Sequence, residues 1–293
     1  MRVLIVGCGY VGLPLGAELV KQGHAVFGLR RSGADELKAA GITPLPADIT
    51  RAESLVGLPR DFDWVANCVA SGGGGVGAYQ QLYLQGTRNL VAWLGGAALK
   101  KFVYTSSTGV YGQNDGTLVT EASPTEPETE TAKVLVETEK ALLAAAREKN
   151  FPAVILRVAG IYGSERGYLL KQFLRNEARI EGQGGRVLNM IHRDDLVGSI
   201  IAALECGRAG EIYNAVDNEP VSQLQFFEWL AGTLGKDLPL PATAEEATTR
   251  RRGLTNKKVS NRRLRLELGY QFKYPDFRKG YTAEIQRLDK PVG

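Results

Sequence analysis

The sequence predicts an α/β fold in which helices cover both faces of a doubly wound parallel sheet. Three observations predict it. The chain opens on an aliphatic run without polar alternation, Arg2-Val-Leu-Ile-Val6, as expected of a strand buried on both faces. That run passes directly into Gly7-Cys-Gly9-Tyr-Val-Gly12. Further aliphatic runs then alternate with amphipathic segments of helical length, the pattern of strand–helix–strand crossovers.

The first turn carries the most chemistry. Gly7 lets the chain leave the strand sharply, Gly9 lets backbone approach a pyrophosphate, and Gly12 lets the next helix sit on the sheet. Pro14 suits an early helical position, where no intrahelical N–H is needed. Free N–H groups at that helix start, around Tyr10 and Val11, favour an anion. A glycine-rich turn of purely structural use is the alternative, but the strand directly before it supplies the context a dinucleotide site requires. Gly23 ends the helix, and His24–Leu29 forms a second strand whose tip reads Arg30-Arg31-Ser32. An acid there would bind a ribose 2′-hydroxyl, whereas arginine neutralises a 2′-phosphate. The tip therefore predicts NADP, with NAD allowed if the two arginines are only solvated.

A short third strand over Ile42–Pro46 leads to Asp48-Ile49, placed near an adenine or, for Asp48, capping its own turn. The fourth strand, Asp63–Ala70, ends in Cys68-Val69-Ala70 and enters Ser71-Gly-Gly-Gly-Gly75-Val-Gly77. Such a run is either a loose loop or backbone brought close to a ligand. A helix follows over Tyr79–Leu94. The fifth strand, Lys101–Thr108, carries hydroxyls at its end. An acidic, Pro-containing loop, a helix from Glu130 to about Asn150 and a sixth strand over Pro152–Val158 complete this half. Beyond residue 164 the pattern breaks into shorter pieces. The chain thus divides into residues 1–163, a dinucleotide-binding domain, and 164–293, a smaller substrate lobe interleaved with it.

Composition limits the alternatives. The 293 residues are 44% hydrophobic and carry a net charge of +4, so neither a membrane nor a nucleic-acid partner is demanded. No apolar run reaches the ~18 residues of a spanning helix. Cys8, Cys68 and Cys206 form no even framework, which suggests a reducing, cytoplasmic setting. Two distant histidines, His24 and His192, predict no metal site. Between residues 250 and 265, Arg250, Arg251, Arg252, Lys257, Lys258, Arg262, Arg263 and Arg265 occur without an acid. That run reads as a solvated face, and it lacks the interleaved aromatics of a nucleic-acid surface.

Taken together, the motifs resemble the extended short-chain dehydrogenase/reductases with a Rossmann domain, and most of all the NAD(P)-dependent sugar-nucleotide epimerase/dehydratase group with its atypical members. The matching stretches are Gly7–Gly12, Asp48–Thr50, Gly86–Leu90, Val103–Gly112, Arg157–Gly163, Ile191–Leu196 and Ile212–Asp217. The resemblance implies hydride transfer at an alcohol or carbonyl carbon of a phosphorylated, nucleotide-linked sugar. It makes Ser107 the hydroxyl that holds the substrate oxygen and Lys133 the lysine that holds the nicotinamide ribose. Ile161 joins the cofactor residues, while Ser71, Thr108, Arg251, Arg252 and Lys257 join the substrate residues. It also implies a homodimer through the helices of Tyr79–Leu94 and Glu130–Asn150. One departure is large. The family spaces Tyr-x-x-x-Lys, yet Thr129 stands four residues before Lys133, and no tyrosine lies between Tyr111 and Tyr162. A threonine is shorter and far less acidic than a phenol, which leaves Tyr111, Tyr162, Glu130 or water as the proton donor. Lys133 could equally be a surface partner of Glu137. Tyr83 stands where the family has an asparagine. A dinucleotide-binding sensor or scaffold without catalysis is the competing expectation.

Overall fold

Residues 1–243 and 255–288 are described by the computed structural model. Its first half runs β1 (Arg2–Val6), α1 (Gly12–Lys21), β2 (Ala25–Arg30), α2 (Ala34–Ala39), β3 (Thr43–Pro46), β4 (Trp64–Asn67), α3 (Gly75–Tyr79), a π-helical turn (Gln80–Gln85) and α4 (Gly86–Leu94). There follow β5 (Lys101–Ser107), β6 (Leu118–Val119), α5 (Glu130–Lys149), β7 (Ala153–Val158), β8 (Gly160–Tyr162) and α6 (Tyr168–Leu174). The last part comprises β9 (Val187–Leu188), β10 (Met190–His192), α7 (Arg193–Cys206), β11 (Ile212–Ala215), β12 (Val221–Ser222), α8 (Gln223–Leu234), β13 (Lys258–Val259), α9 (Arg262–Glu267) and α10 (Phe277–Leu288).

Seven strands form one sheet in the order β11-β7-β5-β4-β1-β2-β3, and every pairing in it is parallel. The doubly wound α/β fold is therefore present. Successive strand residues point to opposite faces, and the two faces build separate cores. Leu4, Val6, Phe102 and Ile155 pack with Leu90, Leu135 and Leu142 of α4 and α5. Val3, Ile5, Val103 and Leu156 pack with Leu15, Leu19, Ile200 and Leu204 of α1 and α7. A third cluster, with Leu170, Phe173, Phe226, Phe227 and Phe277, is built from residues beyond β7.

Strand order reverses between β1 and β4, and the carboxyl ends at such a switch point frame the crevice where this fold class takes ligands. The chain after residue 164 does not stay outside the sheet: β11 lies beside β7, and α7 covers one face. The helix expected from Tyr79 begins earlier, inside the glycine run. Gly73, Gly74 and Gly75 hold φ of 136°, 98° and 68°, conformations that side chains resist. No helix among the described residues is long and apolar enough to cross a membrane.

Candidate active site

The glycine loop at the switch point is built from complementary needs. Gly7 has φ +86°, and a Cβ there would lie 2.8 Å from the Val69 backbone. Its N–H donates to the Leu29 carbonyl at 3.0 Å, which holds the loop between the tips of β2 and β4. A Cβ on Gly12 would overlap the Gly7 carbonyl oxygen, so both glycines are required by the turn itself. Gly9 differs. Its φ is ordinary, and a Cβ there would meet nothing within 4 Å. The space it opens lies at the start of α1, where Val11 is the cap and no side chain caps the helix. Uncapped N–H groups and an open approach suit a pyrophosphate, so the residues present fit a dinucleotide. Cys68, Val69 and Ala70 follow β4 across the crevice, the Cys68 N–H donating to the Val6 carbonyl at 2.8 Å.

The neighbouring strand tips modify the sequence expectations. Arg30 is not a free cation: its Nη1 donates to the Cys8 carbonyl at 2.9 Å and to Glu36 at 2.8 Å, and its Nε to the Ser32 carbonyl. It braces the glycine loop from behind. Arg31 is exposed and makes no ion pair among the described residues, which leaves it as the uncommitted guanidinium. Asp48 caps its turn, Oδ1 accepting from Thr50 N and Oγ1 at 3.0 and 2.8 Å. Ile49 is a packing residue. It is buried, a Cβ on Gly86 would lie 2.7 Å from its Cδ1, and its carbonyl accepts from Asn89 at 2.7 Å. Ile161 is half-buried in β8 and pairs with Ile191.

At the end of β5 the hydroxyls face different duties. Ser106 Oγ donates to the buried Glu139 carboxylate at 2.6 Å. Ser107 Oγ accepts from Gly109 N at 3.0 Å and caps a short turn at Thr108–Val110; it stays half-buried, as does Thr108. Ser71 closes the glycine run, its Oγ donating to the Gly73 carbonyl at 2.6 Å. Tyr83, where the resemblance expects asparagine, accepts from Ser71 N at 2.9 Å. It sits in the π-helical turn, a local widening that marks functional sites with unusual frequency.

The proton-transfer residues are not brought together. Thr129 is the cap residue of α5 and makes no side-chain cap bond. Lys133 lies on the stripe Glu130, Lys133, Glu137 and Lys140, all exposed, and pairs with Glu130 at 2.6 Å rather than with Glu137. The opposite stripe, with Ala132, Leu135, Val136, Glu139 and Leu142, is buried. Moving the motif two residues onto the face of Glu139 would put Thr131 and Leu135 in the places of tyrosine and lysine, so neither register supplies the pair. Tyr111 is fully buried. Its hydroxyl accepts from Arg157 at 2.9 Å and donates to Asn214 at 2.8 Å, which removes it as the acid. Burial raises its pKa further. Tyr162 is also buried, stacked on Tyr281 at 4.2 Å and edge-on to His192 at 5.3 Å, so it serves packing instead of facing the crevice. Burial pushes its phenol well above the ordinary range.

The substrate cations expected in the basic run are corrected as well. Arg251 and Arg252 lie outside the described residues. Lys257 is 3% exposed; its ammonium donates to the Tyr111 carbonyl at 2.8 Å and Thr255 Oγ1 at 2.7 Å, and burial lowers its pKa to about 8. It fastens the chain before β13 instead of facing a ligand. Arg263 is paired to Glu211 and Glu267, both at 2.7 Å. The stretch around His192 is likewise a joint. Nδ1 accepts from Asp194 N at 3.1 Å, so Nε2 carries the proton it shares with Glu284 of α10 at 3.0 Å. Asp195 accepts from Tyr270 Oη at 2.8 Å and from the N–H groups of Lys273 and Tyr274 at 2.7 and 2.9 Å.

Sequence reasoning missed the Glu139–Arg157 pair beneath β5. A lone glutamate inside the apolar stripe of α5 was the available signal, and its partner lies on β7, the next element.

Fold and site together define a dinucleotide-binding α/β protein of the short-chain dehydrogenase type. The model of the NAD dependent epimerase/dehydratase family matches residues 3–215, and the chain belongs to that family. It is similar to "Protein YeeZ" of Escherichia coli K12, 29% identical over 288 residues, which covers 94% of this chain and 97% of that one. It also resembles the dTDP-D-glucose 4,6-dehydratase of Bos taurus, 29% identical over 159 residues, 51% of this chain and 45% of that one. Among solved structures, a putative NAD-dependent epimerase/dehydratase from Methylobacillus flagellatus is 34% identical with a TM-score of 0.79, covering 99% of both chains. DesIV, a dTDP-glucose 4,6-dehydratase from Streptomyces venezuelae with NAD and TYD bound, shares the fold at a TM-score of 0.84 and 22% identity, covering 99% of this chain and 98% of that one.

Proposed function

We propose that the chain binds a nicotinamide dinucleotide, NADP in preference to NAD, and acts on an alcohol or carbonyl carbon of a phosphorylated, nucleotide-linked sugar. The observation that carries this reading is a coincidence at one end of the sheet: the open glycine loop after β1 and the hydroxyl-bearing end of β5 flank the same crevice. When bound, the dinucleotide supplies or accepts the hydride. The chain does the rest. Gly9 admits the diphosphate, Arg31 meets a 2′-phosphate, Asp48 lies by the adenine, and Cys68, Val69 and Ala70 wall the crevice. Ser107 and Thr108 hold the substrate oxygen, and Ser71 orders the glycine run beside it. With Tyr111 and Tyr162 buried, the proton passes to or from solvent water at this open end. Relatives named as dTDP-D-glucose dehydratases support the sugar-nucleotide class. Three unpaired cysteines support a reducing cytoplasm. An open groove of about 630 Å³ runs along α4 and α5, the helices through which the family resemblance implies a homodimer.

The outward face of Lys133 favours a second reading, dinucleotide binding without turnover. Turnover of a panel of nucleotide sugars with NADP(H), followed by nicotinamide absorbance, separates the two. Activity that falls at least tenfold in Ser107→Ala supports the enzyme. Tight dinucleotide binding with no turnover across the panel refutes it and leaves the sensor.

A further inference from the structure

We propose that Arg166 and Arg193, mounted on the ring of Tyr10, form a two-armed clamp for the diphosphate of the bound dinucleotide; this rests on the dinucleotide reading above. Tyr10 follows Gly9 directly, so it belongs to the loop whose backbone is open there. The guanidinium carbons of Arg166 and Arg193 lie 4.2 and 5.2 Å from the centre of that ring. Such stacking holds a guanidinium by its face; the N–H edge of Arg166 is left to meet an anion with two parallel bonds, while Arg193 gives Nε and Nη2 to Asp194 at 3.4 and 3.2 Å and keeps Nη1 for the ligand.

The mounting is itself constrained. Gly163 has φ +140°, and a Cβ there would sit 3.2 Å from Tyr10 Oη, from His192 Nε2 and from Arg193 Cβ. A side chain at 163 would press on the ring and both of its neighbours. Arg166 is brought back by a tight turn, in which Gly163 and Arg166 exchange backbone hydrogen bonds of 3.0 and 2.9 Å.

Charge around the ring is left unbalanced. Arg166 is exposed and makes no ion pair among the described residues. Arg193 shares Asp194, at 3.2 Å, with Lys273 at 3.3 Å. Glu284, the other carboxylate near Tyr10, is taken by His192 and Arg287. Arg193 and Lys273 thus share one carboxylate, and Arg166 has none among the described residues, beside a loop already open to an anion. Neither arginine was singled out by the sequence, because each is needed only once the chain from 163 to 193 folds back over Tyr10.

Calorimetric titration with ADP, NAD, NADP and adenosine tests the clamp. Arg166→Ala is expected to weaken ADP, NAD and NADP alike by about tenfold, the scale of one charge-assisted hydrogen bond. Arg166→Ala/Arg193→Ala is expected to weaken them further, Arg166→Lys to retain part of the affinity, and adenosine, without phosphates, to be unaffected. Because Arg166 is exposed, its alanine variant should melt with the parent. ADP binding within twofold of the parent in both alanine variants overturns the clamp. Loss confined to NADP also overturns it, since the arginines would then read the 2′-phosphate. A folded parent that binds none of the three nucleotides removes the dinucleotide reading instead.

Discussion

Arg157→Met should unfold the protein at markedly lower urea, because it strands a charge. Arg157 donates three hydrogen bonds to Glu139, at 3.2, 3.1 and 2.7 Å, from side chains that are 5% and 3% exposed. Without the guanidinium, the carboxylate keeps only the Ser106 hydroxyl at 2.6 Å among the described residues. Breaking a buried pair from one side costs about 3–5 kcal/mol, whereas removing both charges is often near neutral. The loss at Tyr111, whose hydroxyl accepts from Arg157, adds about 1 kcal/mol. Glu139→Leu/Arg157→Met should therefore recover most of the stability that the single change loses. Urea midpoints at unchanged m-value measure all of this. A single variant within 1 kcal/mol of the parent, or a double variant no better than the single, refutes the reasoning.

Gly9→Val and Gly12→Ala should separate binding from folding. A Cβ at the first meets no atom within 4 Å and one at the second overlaps the Gly7 carbonyl, so Gly9→Val should melt near the parent yet lose at least tenfold in dinucleotide affinity, while Gly12→Ala should lower the melting temperature. Equal melting of the two would contradict the loop's geometry. Lys257, with its pKa lowered to about 8 by burial, binds fewer protons folded than unfolded above that pH. Stability relative to Lys257→Met should accordingly rise between pH 8 and about 10.4, by roughly 3 kcal/mol at full titration; a flat difference in chemical denaturation across that range would count against a buried ammonium. Tyr83→Phe removes the acceptor of Ser71 N and should raise KM for the substrate more than it lowers melting, by about threefold or more if one neutral hydrogen bond is lost; an unchanged KM would detach the π-helical turn from the site.

The sheet and the glycine loop after β1 were legible because their signals are local. An unalternating aliphatic run, a glycine at each forced turn and a helix starting at once all lie between Arg2 and Gly16, and the backbone leaves no room for a Cβ at Gly7 or Gly12. The short strands β6, β9, β12 and β13 were not legible. Each is two residues long and exists through partners distant in the chain, as Val259 does beside Val119.

Helix α5 shows a different limit. A Tyr-x-x-x-Lys spacing asks only whether two positions share a face of a helix, and Thr129 and Lys133 do. Which face turns inward is decided by burial along the whole element. In α5 the inward stripe includes Glu139, a residue whose charge disguises it as surface until Arg157 is found opposite. Taking Glu139 as inward reverses the reading of Lys133, since six residues separate them and six steps of about 100° leave them roughly 120° apart. The buried pair thus fixes the rotation of α5, and that rotation sends Lys133 to solvent. A chain in which Lys133 held a ribose would need the helix turned, with Glu139 drawn away from Arg157 and Ser106. The ion pair and a catalytic Lys133 are for that reason alternatives, and the instability expected of Arg157→Met measures how firmly the choice is made.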